Sequence, residues 1–177
     1  MRKLITFVAV ILISFSMQSQ HVFNKGDVFL NLGIGAPYNG YGYIPTINFS
    51  GEVGVIPTGD IGIVSFGGIA EMQFATYKYT SYSNSFVQFI IGPRAAWHVT
   101  AFESDEWDVY AVTGVGMWIK SKPSYDSNGN YYKNSSVSPY GEFYVGGRWM
   151  FNPTTGLFSE VGYGPLSVFK FGVTFGF

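Results

Sequence analysis

Seven charged side chains stand singly inside stretches otherwise built of apolar, aromatic, glycine and small polar residues: Glu52, Glu71, Arg94, Glu142, Arg148, Glu160 and Lys170. Four carboxylates and three cations of this kind can form ion pairs, and a carboxylate beside a histidine can also move a proton. Nucleophilic catalysis asks for more: a nucleophile, a base and an orienting group within mutual reach. The two histidines are His21, close to the start, and His98, beside an acidic stretch holding Glu103, Asp105 and Glu106. We read His98 as a polar residue pairing with a nearby carboxylate, and assign no catalytic residue. With no Cys in the chain, neither a disulfide framework nor a Cys–His metal cluster is available. Asp126-x-Asn128-x-Asn130 starts like a calcium loop but lacks the required Gly and terminal Glu, so it reads as a turn. No metal or cofactor is expected. Ten basic residues against eleven acidic ones leave no basic excess, which excludes nucleic acid as a partner.

The elements that must position these charges are strands. From Asp27 to Ala36, Val28, Leu30, Leu32 and Ile34 alternate with Asn31, Gly33 and Gly35, the period of two that marks a strand with one apolar face. Similar alternation recurs at 44–55, 62–77, 85–99, 107–119, 138–151, 157–164 and 168–177, most weakly in the fifth segment. Eight strands result. The links at 56–60, 99–106 and 152–156 are compact, whereas 78–84 and especially 120–137 read as longer loops rich in Tyr, Ser, Asn and Lys. Short turns at one end and long loops at the other are the habit of outer-membrane barrels, the loops lying outside the cell.

Both ends of the chain agree. The final strand carries Phe169, Phe171, Val173, Phe175 and Phe177 on one face, with Lys170, Gly172, Thr174 and Gly176 on the other. Met1-Arg2-Lys3, an apolar run from Leu4 to Phe15 and a small polar stretch from Ser16 to Gln20 have the layout of a secretory signal peptide. The apolar run of about a dozen residues is short of the roughly 20 that span a bilayer. Ser14 and Ser16 point to cutting after Ser16, and Ser19 to a later cut. With residues 1–20 as signal peptide, 21–177 form one domain, whose eight basic and eleven acidic residues give a charge of about −3.

On the lipid face each mid-strand charge would cost a few kcal/mol near the midplane. All seven have the opposite parity, so they are expected in the lumen, with Tyr140 and Tyr144 as hydrogen-bond partners and the pairings open. An eight-stranded barrel is only wide enough for its own side chains or one small ligand, which excludes a general diffusion pore. The fold class is therefore all-β, an eight-stranded antiparallel transmembrane up-and-down barrel preceded by a cleavable signal peptide.

The aromatic ladder ending at Phe177 resembles the signal read by the outer-membrane barrel-assembly machinery. Tyr144-Val-Gly-Gly-Arg148-Trp-Met-Phe-Asn-Pro, Leu157-Phe-Ser-Glu160-Val-Gly-Tyr-Gly164 and Ile91-Gly-Pro-Arg94 with His98 resemble the small outer-membrane β-barrel family common in Bacteroidetes. The resemblance spans essentially the mature chain. It implies a porin-like barrel shaped like those of OmpA, OmpX and OmpW, residence in the outer membrane, and dealings with its lipids, the assembly machinery and periplasmic chaperones. It implies no reaction, and after Phe177 it leaves no room for a peptidoglycan-binding domain.

Three functions compete. The first is a monomeric, non-enzymatic barrel with a structural or interaction role, or a narrow gated conductance in which pairs such as Arg94 with a Glu exchange partners. Its loop aromatics (Tyr38, Tyr41, Tyr43, Tyr79, Tyr82, Tyr125, Tyr131 and Tyr132) are available to an extracellular ligand or protein, or serve as interface anchors. The second is a lipid-modifying barrel enzyme, but His98 falls at the periplasmic end, opposite an outer-leaflet substrate. The third is a soluble lipocalin-like barrel with its apolar face inside, which the ions of both signs on the polar face disfavour.

Overall fold

A computed structural model of the chain describes residues 21–37, 44–79, 82–100, 104–125 and 131–177. The expected signal peptide (1–20), Tyr38, Tyr41, Tyr43, Glu103 and the turn at Asp126 to Asn130 lie outside the described residues. Eight antiparallel strands close into a barrel: β1 (Val28–Pro37), β2 (Thr46–Pro57), β3 (Gly62–Tyr79), β4 (Tyr82–Val99), β5 (Trp107–Tyr125), β6 (Tyr131–Asn152), β7 (Thr155–Tyr163) and β8 (Ser167–Gly176). Each strand pairs with its neighbours in sequence, and β1 pairs with β8 from Phe29↔Gly176 to Pro37↔Ser167. A single 3₁₀ turn, Gly59–Ile61, joins β2 to β3.

The two faces of the wall differ as the alternation requires. Leu32, Ile34, Phe49, Phe66, Val115, Phe143, Val161 and Phe171 are exposed on the outside, whereas Asn31, Asn48, Ser65, Glu71, Arg94, Arg148 and Lys170 are buried inside. A soluble protein has the reverse arrangement.

Two expected loops prove to be mostly strand. β3 and β4 continue pairing to Tyr79↔Tyr82, and β5 and β6 to Tyr125↔Tyr131. Only 80–81 and 126–130 separate them. A backbone ladder needs hydrogen bonds and not an apolar face, so the hairpins continue where the side-chain alternation fades. Asymmetry of loop length is thus largely asymmetry of strand length. β3 to β6 have 18–22 residues, whereas the other four have 9–12. The four long strands rise above one side of the barrel as two hairpins.

The β1–β8 seam that completes the ring is narrow inside. Gly33 lies opposite Gly172, and a Cβ on Gly33 would sit 2.5 Å from the Phe171 carbonyl oxygen and 2.9 Å from the Phe158 ring. Gly33→Val is expected to block closure. Refolded variant and parent compared by heat-modifiable gel mobility test this: the variant loses the compact, fast-migrating form, and retention of that form would show that the seam tolerates a side chain.

Candidate functional site: a two-tiered charged lumen

Inward parity brings the lumen side chains into two tiers. Near the short-turn end, Arg148 of β6 lies opposite Asp108 of β5 in register, and its Nη1 donates to Asp108 Oδ2 at 2.9 Å. Its Nη2 binds Glu52 of β2. His98 of β4 stands between the same two carboxylates, with Nδ1 3.0 Å from Asp108 and Nε2 3.1 Å from Glu52. Ser65 of β3 donates to Glu52 Oε2 at 2.5 Å and lies 3.0 Å from His98 Nε2.

The second tier is nearer the middle. Arg94 of β4 places Nη2 2.8 Å from Glu160 Oε2 and Nε 2.9 Å from Glu142 Oε1, the latter an ion pair without hydrogen-bond alignment. Lys170 Nζ lies among three carboxylates, 3.5 Å from Glu71, 3.5 Å from Glu142 and 3.8 Å from Glu160, while Thr46 donates to Glu71 at 2.5 Å. Between the tiers lies a cavity of about 10 Å³, flanked by Glu52, Arg94, Tyr110 and Glu160, large enough for one water.

Inward glycines let these side chains cross strands. Arg94, Gly114 and Glu142 lie side by side on three neighbouring strands. Arg94 reaches Glu142 over Gly114, where an added Cβ would meet Arg94 Cγ at 3.1 Å and Glu142 Oε1 at 3.0 Å. Tyr110 crosses Gly146 in the same way, and its hydroxyl donates to Glu160 at 3.2 Å.

All eight lumen residues read from the sequence (Glu52, Glu71, Arg94, His98, Glu142, Arg148, Glu160 and Lys170) point inward and join these tiers. The two tyrosines behave otherwise. Tyr144 donates to the Ser167 carbonyl at 2.6 Å, with Lys170 Nζ 3.9 Å from its ring centre. Tyr140 hydroxyl has no hydrogen-bond partner among the described residues. Both rings are buried inside, the Tyr140 hydroxyl against Gly92 and the Tyr144 hydroxyl against Gly164, and it is Tyr110 that donates to a carboxylate. Sequence reading also missed Asp108, whose inward column continues with apolar Tyr110 and Val112 and so hides its parity.

Phe23 was missed too. Residues 21–27 fold across the short-turn mouth, tied by Val22 N to Ser104 O at 3.3 Å, Gly26 N to Gly54 O at 2.9 Å and Gly54 N to Asp27 O at 3.0 Å. Phe23 enters the lumen, stacks on His98 at 3.8 Å with 14° between planes, and packs against Phe29, Ile63 and Met150. Within this strap Asp27 is half-buried. Desolvation pushes its carboxyl above the ordinary value, and hydrogen bonds from Asn24 partly oppose the shift.

Ser65, His98 and Asp108 share the spacing of a nucleophile, base and orienting acid. The surroundings deny them a substrate: Ser65 and His98 are fully buried, Glu52 already accepts the Ser65 hydroxyl proton, and Phe23 covers the imidazole. The arrangement holds charge in place. The residues whose spacing resembles an assembly signal are elsewhere: Phe169, Phe171, Val173 and Phe175 face outward on β8, and Phe177 pairs with Val28 just beyond it.

Arg148→Met leaves Glu52 and Asp108 without their fixed cation and is expected to cost about 3–5 kcal/mol in urea unfolding; a loss below about 1 kcal/mol would show that His98 alone suffices. For Asp27, a raised folded-state pKa means that its favourable contribution is full below the ordinary value near 3.8 and is lost as pH rises through the raised value. The strap therefore holds better in acid, and Asp27→Asn should slow tryptic cleavage after exposed Lys25 at neutral pH; faster cleavage would contradict this.

No protein-family model matches the chain, and no curated protein matches it. Solved structures do. Ail, the attachment invasion locus protein of Yersinia pestis, in complex with the heparin analogue sucrose octasulfate, aligns with a TM-score of 0.55 at 12% identity, covering 87% of this chain and 100% of that one. A second structure of Ail aligns at 0.50, with the same identity and coverage. The N-terminal β-barrel domain of Pseudomonas aeruginosa OprF aligns at 0.46 and 13% identity, covering 86% of this chain and 98% of that one. At these identities the likeness to Ail is one of fold: this chain is a closed eight-stranded antiparallel barrel of the same architecture.

Proposed function

We propose that the protein is a small, monomeric, non-enzymatic barrel of the bacterial outer membrane, with a closed charged lumen and two tall hairpins outside the cell that form an interaction surface. The observation that carries this is the inversion of polarity: an apolar exterior around an interior of ion pairs. Such a wall suits lipid, and closure leaves no unpaired strand edge around the ring. Export, the periplasmic chaperones and the assembly machinery belong to this reading. In it the outward ladder of Phe169, Phe171, Val173, Phe175 and Phe177 is recognised before β8 meets β1.

A closed lumen is favoured over a gated conductance by the double hold on Arg94, which contacts Glu142 and Glu160 together. Partner exchange would break both contacts at once in a space with room for about one water. The structural alignment to Ail supports the architecture of the reading; the near-balanced charge of this chain gives no reason to transfer a sulfated ligand. The hairpins, whose backbone brings Tyr79 beside Tyr82 and Tyr125 beside Tyr131, are where an extracellular ligand or protein would be met.

Protein refolded in planar bilayers is expected to be silent, and protease added to intact cells to cut within the β5–β6 hairpin. Sustained single-channel openings of the unmodified protein would overturn the closed lumen. Recovery in the soluble fraction without detergent would overturn the membrane assignment.

A further inference from the structure

β6 outruns its neighbour. Pairing between β6 and β7 reaches only Phe143↔Tyr163, after which β7 ends and the chain turns through Gly164 and Pro165 into β8. β6 itself extends as far as Tyr131. At the step a groove of about 600 Å³ runs along the wall, within the size range of small-molecule sites. Its outer lip includes Val115, Phe143 and Tyr163, all more than half exposed, and these continue into the apolar belt through Val161. Gly141 lies in its floor, where an added Cβ would come no closer than 3.9 Å to Gly114 O. At the free edge of β6 the groove also reaches Trp118, an inward residue packed with Ile90, Tyr140 and Leu166 and bonded through its indole N–H to Gln88 at 3.0 Å.

We infer that this groove holds one hydrocarbon chain of a membrane lipid, seated over Gly141 between Phe143 and Tyr163 with its end against Trp118. The inference rests on the membrane assignment above. The groove opens sideways onto the same apolar surface that meets the bilayer, so what fills it comes from the bilayer. Its lip is aromatic and aliphatic, with Thr113 and Glu142 as its polar lining, and leaving the apolar lip to water would be unfavourable. At this step the groove reaches an inward Trp, whose ring also carries Lys120 Nζ at 3.3 Å from its centre.

Phosphatidylcholine carrying dibrominated acyl chains quenches tryptophan by contact and supplies the test. Two single-tryptophan forms are refolded into such vesicles, one keeping Trp118 and the other keeping Trp149, which is exposed on the outer wall. Both are expected to be quenched. Gly141→Phe, or Gly141→Leu should the larger residue hinder refolding, fills the floor and is expected to remove most of the Trp118 quenching while leaving Trp149 unchanged. Trp149 quenched with Trp118 dark to the bromines, or open to aqueous iodide instead, would overturn the lipid-chain site and leave the membrane assignment standing. Trp118 quenching that survives a correctly folded Gly141 variant would overturn it as well. Failure to quench Trp149 would remove the membrane assignment, and the groove proposal with it.

Discussion

The closing ladder between β1 and β8 is the constraint on which the rest of this structure depends. Once those strands pair, every strand in the ring has two neighbours, and the backbone N–H and C=O groups within the paired ring are satisfied by the wall itself. Closure at eight strands also sets the diameter. Eight inward columns must then share a space just wide enough to be filled by side chains. Gly33 and Gly172 at the seam, and Gly114 and Gly146 within the lumen, are the response to that crowding. They keep backbone close to backbone and leave room for longer side chains to reach over them.

Within that space charge has to balance. The tier near the short turns sets Glu52 and Asp108 against Arg148 and His98, and the middle tier sets Glu71, Glu142 and Glu160 against Arg94 and Lys170. Buried ion pairs give little net stability compared with apolar filling, but a lone buried charge is costly. Such pairs therefore contribute more to fixing which strand lies beside which than to total stability. A shift of one residue in any strand from β2 to β8 would turn its charge to the outer face. The strap with Phe23 completes this filling at one end, where its ring stacks on His98.

Unequal strand length does something separate. A barrel of uniform height would present a plain cylinder, whereas here four strands stand above the other four. The tall half carries the two hairpins at which the proposed encounters beyond the membrane would take place, and the step from tall to short leaves a groove that reaches Trp118. Stability resides in the common height, where all eight strands pair. Features suited to binding lie where that common height ends, which is where loss of pairing is tolerated.

Alternation along the chain carries the parity of nearly every strand, and with it the all-β class, the strand number and the inward direction of the eight lumen residues. Parity is a local property, because successive side chains leave a strand on opposite sides whatever the rest of the chain does. It failed where local chemistry was mute. Asp108 was hidden because its column continues with Tyr110 and Val112, and the upper hairpins because their composition is polar on both faces. Phe23 precedes the first strand and has no parity to read. That Arg94 meets both Glu142 and Glu160, that Tyr110 and not Tyr140 serves a carboxylate, and that β6 overtops β7 emerge only in the closed barrel. Those facts depend on register and closure, which bring together residues far apart along the chain, 96 positions in the case of Glu52 and Arg148. Nothing in the neighbourhood of either residue along the chain encodes that meeting.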